Sequence, residues 1–214
     1  MPTTAYNARQ LPVPLPEPSP ERIPKKMLET MLISTGAVVL AEMGDKTQLL
    51  ALLLAARFHK ATPIVLGILV ATLFNHGLAG AFGAWITTQF TPEMLKWILA
   101  GGFIAMGLWM LIPDKEDGAS IDSPWLKKAG VFTATLVTFF LAEVGDKTQV
   151  ATIALAAKYS PFWVVMGTTL GMLIADVPAV YLGDKMSAKL PMKWIHAVCA
   201  LLFIGLGLAT LFVS

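Results

Sequence analysis

The sequence predicts an all-α polytopic membrane protein with six transmembrane helices that form two inverted three-helix repeats. The first reason is composition: of 214 residues, 56% are hydrophobic and 14% are charged, with a mean hydropathy of +0.67. Soluble domains carry about 25% charged residues. The second reason is a succession of six apolar stretches, and the third is a charged octet that occurs twice. Because each spanning helix needs roughly 20 apolar residues, the chain is long enough for about six or seven spans.

The apolar stretches are separated by short polar segments and one longer central loop. They fall at about 28–56, 63–88, 95–112, 129–157, 161–183 and 192–213. The chain therefore divides into a Pro-rich disordered tail (1–26), a first three-helix repeat (27–112), a central polar loop (113–128) and a second three-helix repeat (129–214). Because the tail holds seven prolines, we expect no helix there and assign it no role. All six tryptophans fall near segment ends, where aromatic rings meet lipid headgroups.

The two halves of the chain resemble each other in sequence. The octet AEMGDKTQ at Ala41–Gln48 returns as AEVGDKTQ at Ala142–Gln149, 101 residues later. Farther on, FIAMGL at 103–108 returns as FIGLGL at 203–208. Because a unit of three helices crosses the membrane an odd number of times, its second copy enters in the opposite direction. Inverted repeats of this kind predict a transport site at the bilayer midplane, where the halves meet.

The acidic residues of the octets lie deep within apolar stretches. Glu42 and Glu143 are near the centres of their stretches, where a lone charge costs at least about 2.5 kcal/mol and usually marks a transport pathway. Asp45 and Asp146 follow three residues later, and a continuous helix would place each Glu and Asp on one face. If the two faces converge, four carboxylates surround one point. Hard divalent cations such as Ca²⁺ and Mn²⁺ prefer oxygen ligands of this kind.

Other polar residues of the octets, and of the second helix in each repeat, can complete this site. Candidate oxygen ligands are Gln48, Gln149, Asn75 and Asp176, with hydroxyl groups from Thr47 and Thr148. Lys46 and Lys147 have no lone pair for a metal, so we expect them to offset negative charge when the cation is absent. Gly44 and Gly145 permit close helix approach or a local break that exposes backbone carbonyls.

Four other interpretations stay open at this point. The acids could form structural ion pairs, because Glu42–Lys46 and Glu143–Lys147 have the favourable i,i+4 spacing. The chain could be an intramembrane carboxylate metalloenzyme, although neither octet contains His, Ser or Cys. A small organic cation exporter and a helix-packing scaffold are the other two. We predict no enzymatic activity, no bound cofactor and no nucleic-acid partner.

The doubled E-x-G-D-K-T motif resembles the signature of the cation/proton exchanger family that includes the MneA-type bacterial manganese exporters. Related Golgi and chloroplast members carry manganese and calcium. The resemblance covers about residues 28–213, and both copies of the motif are complete. It implies exchange of a divalent cation, Mn²⁺ before Ca²⁺, for protons, with export from the cytoplasm, across the plasma (inner) membrane if the chain is bacterial. It also implicates Glu42, Asp45, Glu143 and Asp146 in transport. The oligomeric state stays open.

Overall fold

The computed structural model describes residues 22–112, 129–182 and 192–212. Within these ranges the regular secondary structure is entirely α-helical, which confirms the predicted all-α fold. The helices are α1 (Arg22–Glu42), α2 (Lys46–Phe58), α3 (Ala61–Gln89), α4 (Pro92–Met110), α5 (Val131–Glu143), α6 (Lys147–Lys158), α7 (Pro161–Leu182) and α8 (Met192–Phe212). The predicted central loop, 113–128, lies outside the described residues, as do residues 1–21 of the predicted tail.

The first helix begins inside the Pro-rich segment that was predicted to be a disordered tail. It starts at Arg22 rather than at residue 27, and Pro24 is part of its first turn. Proline is tolerated there because the first N–H groups of a helix have no acceptor within the helix. The expectation that no helix forms before residue 27 is therefore wrong for residues 22–26.

Each octet interrupts a stretch that was expected to be one continuous helix. The stretch 28–56 is divided between α1 and α2, and the stretch 129–157 between α5 and α6. The axes of Pro24–Glu42 and Lys46–Phe58 differ by 72°. The break follows from glycine, since Gly44 has φ 81° and Gly145 has φ 79°, a left-handed conformation that side chains with a Cβ rarely adopt. The predicted placement of Glu42 and Asp45, or of Glu143 and Asp146, on one helix face is therefore wrong.

Several helices have the length and the apolar surface of membrane spans. Three are long and apolar enough to cross a bilayer by themselves, and the bent pair α1–α2 would supply a fourth; the three are Ala61–Gln89, Pro92–Met110 and Pro161–Tyr181. Large apolar side chains point outward, among them Phe212 at 82% and Trp194 at 74% exposure. Such extensive apolar exposure suits contact with lipid. The count of six spans and their inverted orientation stay predictions.

The two repeats pack against each other through reciprocal contacts. In α3, a Cβ added at Gly67 would lie 2.7 Å from Thr135 Cβ in α5. In α7, a Cβ added at Gly167 would lie 2.6 Å from the carbonyl oxygen of Met31 in α1. The first helix of each half thus packs closely against the long helix of the other half, and glycine is what allows the approach.

The α4–α8 pair shows the same reciprocity. An added Cβ would lie 2.8 Å from Ala200 O at Gly107, and 2.9 Å from Ala100 O at Gly207. Phe103 and Phe203 stack between the two helices, with ring centroids 6.3 Å apart. By contrast, an added Cβ at Gly101 would meet no atom within 4 Å. These contacts recur when residue numbers are shifted by 100, and Lys46 and Asp146 show that the two octets lie together.

Candidate cation site

Each octet forms a short turn that joins two half-helices. The first helix ends at the glutamate, and the aspartate three residues later, Asp45 or Asp146, occupies the N-cap position of the next helix. Only the Asp146 side chain makes a cap hydrogen bond, which it accepts from Thr148 N–H. The N–H of Asp45 donates to Glu42 O at 3.0 Å, and the N–H of Asp146 donates to Glu143 O at 3.1 Å. These bonds hold each Glu and Asp on opposite sides of the same break. The acids are thus brought together by the turn and not by helical spacing.

The two glutamates are completely buried, and each uses one carboxylate oxygen in a hydrogen bond. Thr47 Oγ1 donates to Glu42 Oε2 at 2.6 Å, and Thr148 Oγ1 donates to Glu143 Oε2 at 2.9 Å. The other oxygen, Oε1, is buried in both residues and has no hydrogen-bond partner among the described residues. A buried carboxylate oxygen without a partner is costly in a static protein. A site that binds a cation or a proton transiently needs such an oxygen to receive it.

The two glutamines stabilise the turns with their amide oxygens. Gln48 Oε1 accepts from the N–H of Gly44 at 2.8 Å, and Gln149 Oε1 accepts from the N–H of Gly145 at 2.7 Å. The sequence suggested these oxygens as cation ligands, but in this structure they satisfy backbone donors. Gln48 Nε2 in turn donates to the carbonyl oxygen of Ala175 in α7 at 2.9 Å. Each glutamine therefore orients its octet and also ties it to the opposite repeat, Gln149 through Asn75.

Asn75 in α3 lies against the second octet. Its side-chain oxygen accepts from Gln149 Nε2 at 3.3 Å, and its Nδ2 donates to Phe140 O at 3.0 Å. Both ends of this candidate ligand are thus engaged by the half-helices α5 and α6. The next residue, His76, is completely buried, and neither ring nitrogen has a hydrogen-bond partner among the described residues. The two hydrogen bonds of Asn75 thus hold α3 against the second octet.

Asp176 in α7 lies on the side of the first octet. It is completely buried, follows Ala175, and neither carboxylate oxygen has a hydrogen-bond partner in the described part of the chain. The hydroxyl of the neighbouring Thr47 has a single O–H group, and that group donates its hydrogen bond to Glu42. Asp176 is therefore a further buried acid beside the first octet, and its role as a cation ligand stays a prediction.

Three acids from the two repeats converge on one point. One oxygen each of Glu42, Asp45 and Asp146 lies within 4.8 Å of the others. This separation allows a single divalent ion to contact all three, because Ca²⁺ binds oxygen at roughly 2.3–2.6 Å. Glu143 is not one of the three, so the cluster is less symmetric than the predicted set of four carboxylates. The sequence carries no signal for this asymmetry, because the two octets differ only at Met43 and Val144.

The two octet lysines have different partners. Lys46 Nζ forms an ion pair with Asp146 Oδ1 at 2.7 Å, across the boundary between the repeats. Lys147 Nζ donates to the carbonyl oxygen of Ile112 at 2.7 Å and lies 5.9 Å from the centre of the Trp109 ring. The alternative of a local Glu42–Lys46 pair is therefore wrong for Lys46. Sequence reasoning missed the Ile112 carbonyl, since a backbone acceptor carries no sequence signal.

Known proteins resemble both halves of this sequence. The sequence profile described as divalent cation/proton antiporter GDT1 matches residues 30–118 and 131–214, which include both octets and all the acids above. The chain belongs to this family. The membership confirms the resemblance noted from the octets, and it identifies a multi-pass membrane transporter rather than an enzyme. The intramembrane metalloenzyme alternative is thereby excluded.

Individual relatives extend the comparison. A Vibrio cholerae protein named "Putative manganese exporter" is 46% identical over 188 residues, which cover 87% of this chain and 92% of the relative. GDT1-like protein 4 of Oryza sativa subsp. indica is 26% identical over 211 residues, covering 87% and 74%. GDT1-like protein 5 of Arabidopsis thaliana is 25% identical over 224 residues, covering 86% and 96%. No solved structure matches the chain.

Proposed function

We propose that the protein exchanges a divalent cation for protons, with Mn²⁺ as the preferred cargo and Ca²⁺ as the second, and that it exports the cation from the cytoplasm. The observation that carries the proposal is the convergence of Glu42, Asp45 and Asp146, from two separate helix breaks, within 4.8 Å. Cation transport is the activity of the family to which the chain belongs. The cargo and the direction follow the name of the Vibrio cholerae relative.

The chemistry of the cluster suits a hard divalent ion. Carboxylate oxygens are the ligands that Mn²⁺ and Ca²⁺ accept, and the Oε1 atoms of Glu42 and Glu143 are buried without a hydrogen-bond partner among the described residues. The half-helices α1 and α5 end at these glutamates, so their last carbonyl groups carry partial negative charge toward the site. Interrupted helices of this kind coordinate cations in many secondary transporters.

Protons are suited to be the ions that the same cluster carries in the opposite direction. When the cation leaves, several buried carboxylates face one another in a medium of low dielectric constant, and like charges there are strongly unfavourable. Protons on the carboxylates remove this charge and allow the empty carrier to return. Cation and protons then compete for the same oxygens, which couples their opposite movements across the membrane.

Mn²⁺ flux in proteoliposomes tests the proposal. Glu42→Gln and Glu143→Gln keep the size of the side chain but remove a charge, so we expect the flux to fall at least about tenfold, equivalent to about 1.4 kcal/mol. Glu93→Gln, at an exposed position in the first turn of α4, is the matched control and retains full flux. In the wild type, we expect an imposed pH gradient to accelerate Mn²⁺ flux. Normal flux in both octet variants, or flux indifferent to the pH gradient, would refute the proposal.

A further inference from the structure

The two octets share three internal contacts but direct their lysines differently. Both have the threonine–glutamate bond, the glycine–glutamine bond and the aspartate–glutamate turn. Yet Lys46 reaches Asp146 in the other repeat, while Lys147 reaches Ile112 at the end of α4. The aspartates differ as well, since the Asp146 side chain accepts from the N–H of Thr148 at 3.4 Å, whereas Asp45 makes no such cap bond. The two lysines therefore have different surroundings in this conformation.

The ammonium of Lys46 binds Asp146, an acid that is also a candidate ligand of the transported cation. Its ammonium lies 2.7 Å from Asp146 Oδ1, and Asp146 is one of the three converging acids. The side chain of Lys46 is 30% exposed and that of Asp146 is 6% exposed, so the pair joins a partly exposed lysine to a buried acid. A divalent ion that binds to Asp146 Oδ1 would therefore compete with the ammonium of Lys46.

Lys147 is held away from the corresponding position. It is buried, donates to the Ile112 carbonyl just beyond the end of α4, and packs over Trp109. Free carbonyl groups at the end of a helix favour a cation. The end of α4 thus provides a second place for an octet lysine. Its counterpart is the end of α8, which packs against α4 through the reciprocal contacts of Gly107 and Gly207.

We propose that Lys46 and Lys147 are tethered cations that occupy the transport site alternately. In the conformation described, Lys46 neutralises Asp146 and Lys147 is held at the end of α4. In the opposite-facing conformation the repeats exchange contacts, so Lys147 neutralises Asp45 and Lys46 moves to the end of α8. For the inverted repeats that the sequence predicts, rocking of one half against the other opens the site to alternate sides of the membrane. The inference rests on the proposed function, and it assigns a role to each lysine that depends on the side of the membrane.

The first experiment measures the KM for Mn²⁺ separately from each face, in right-side-out and everted vesicles. Lys46→Gln removes the competing ammonium in one conformation, so the KM falls about three- to tenfold at one face only, while maximal flux slows. Lys147→Gln gives the same fall at the opposite face. Lys46→Arg restores the wild-type KM, and Lys25→Gln at the exposed start of α1 is the control. A KM that rises at both faces, or changes at the same face in both variants, would overturn the inference.

The second experiment needs no transport and therefore separates this inference from the proposed function. Cys199, the one cysteine in the sequence, is replaced by alanine so that only introduced thiols react. A short bifunctional thiol reagent then links Lys46→Cys to Asp146→Cys in one double variant, and Lys147→Cys to Asp45→Cys in another. We expect both cross-links to form in folded, monodisperse protein. A link in the first double variant with none in the second would exclude the exchange, whatever the cargo; failure of wild-type Mn²⁺ flux would instead contradict the proposed function.

Discussion

Thr47 Oγ1 donates a 2.6 Å hydrogen bond to Glu42 Oε2 and so joins the second residue of α2 to the last residue of α1. Thr148 and Glu143 repeat the arrangement at 2.9 Å. In both glutamates the bond fixes one oxygen and leaves Oε1 buried without a partner among the described residues. The threonine thereby orients the carboxylate so that its free oxygen is available to a cation or a proton.

Loss of the Thr47 hydroxyl should weaken cation binding without removing a charge. A hydrogen bond to a charged group contributes roughly 1.5–3 kcal/mol, so we expect Thr47→Val to raise the KM for Mn²⁺ by about tenfold or more. Thr47→Ser keeps the hydroxyl and should stay close to the wild type. Both are measured as Mn²⁺ uptake by proteoliposomes over a range of concentrations. Equal impairment of the two variants would show that the methyl group, not the hydroxyl, is what the site needs.

The turn in the second octet should depend on the left-handed conformation of Gly145. A Cβ at this position would meet no atom within 4 Å, so Gly145→Ala tests the backbone alone. With φ at 79°, alanine should cost roughly 1–2 kcal/mol and lower the melting temperature in detergent. Gly36→Ala is the control, since Gly36 lies inside α1 and is equally unobstructed. There alanine should stabilise the helix by roughly 0.5–1 kcal/mol. Melting temperatures that move in the same direction would contradict this account.

The sequence revealed the acids of the site because burial and duplication both left a signal. Glu42 and Glu143 lie within apolar stretches, and their whole octet recurs, so a shared chemical role was the natural interpretation. A local break at Gly44 and Gly145 was one of two predicted uses of these glycines, but the shared helix face was wrong because glycine is also compatible with a continuous helical pattern. Only the backbone shows Gly44 at φ 81°, which ends α1 and turns an expected helix face into a break.

Contacts between the repeats could not be predicted from the sequence. Asn75 was recognised as a polar residue in an apolar helix, but its bonds to Gln149 and Phe140 depend on how α3 packs on the other half. The lysines are the clearest case, because the same octet chemistry gives Lys46 and Lys147 different partners. Sequence identity fixes the local turn, whereas the tertiary arrangement decides what each side chain reaches.

Close packing of α4 and α8 should depend on Gly107 and not on the other glycines of α4. A Cβ at Gly107 would lie 2.8 Å from Ala200 O, so Gly107→Ala must push the two helices apart. We expect a loss of roughly 1–3 kcal/mol, seen as a lower melting temperature in detergent. Gly101→Ala in the same helix meets no atom within 4 Å and is the matched control. A Gly107→Ala protein as stable as the control would contradict the described α4–α8 contact.

Asp176 should contribute to transport rather than to stability. Its carboxylate is completely buried, and neither oxygen has a hydrogen-bond partner in the described residues, so the charge has no evident structural use. Asp176→Asn should therefore lower Mn²⁺ flux at least about tenfold while the melting temperature stays the same or rises, because a buried charge is removed. Thr169→Val, which removes another buried, unbonded oxygen from α7, is the control and should leave flux unchanged. Loss of flux together with a lower melting temperature would instead assign Asp176 a structural role.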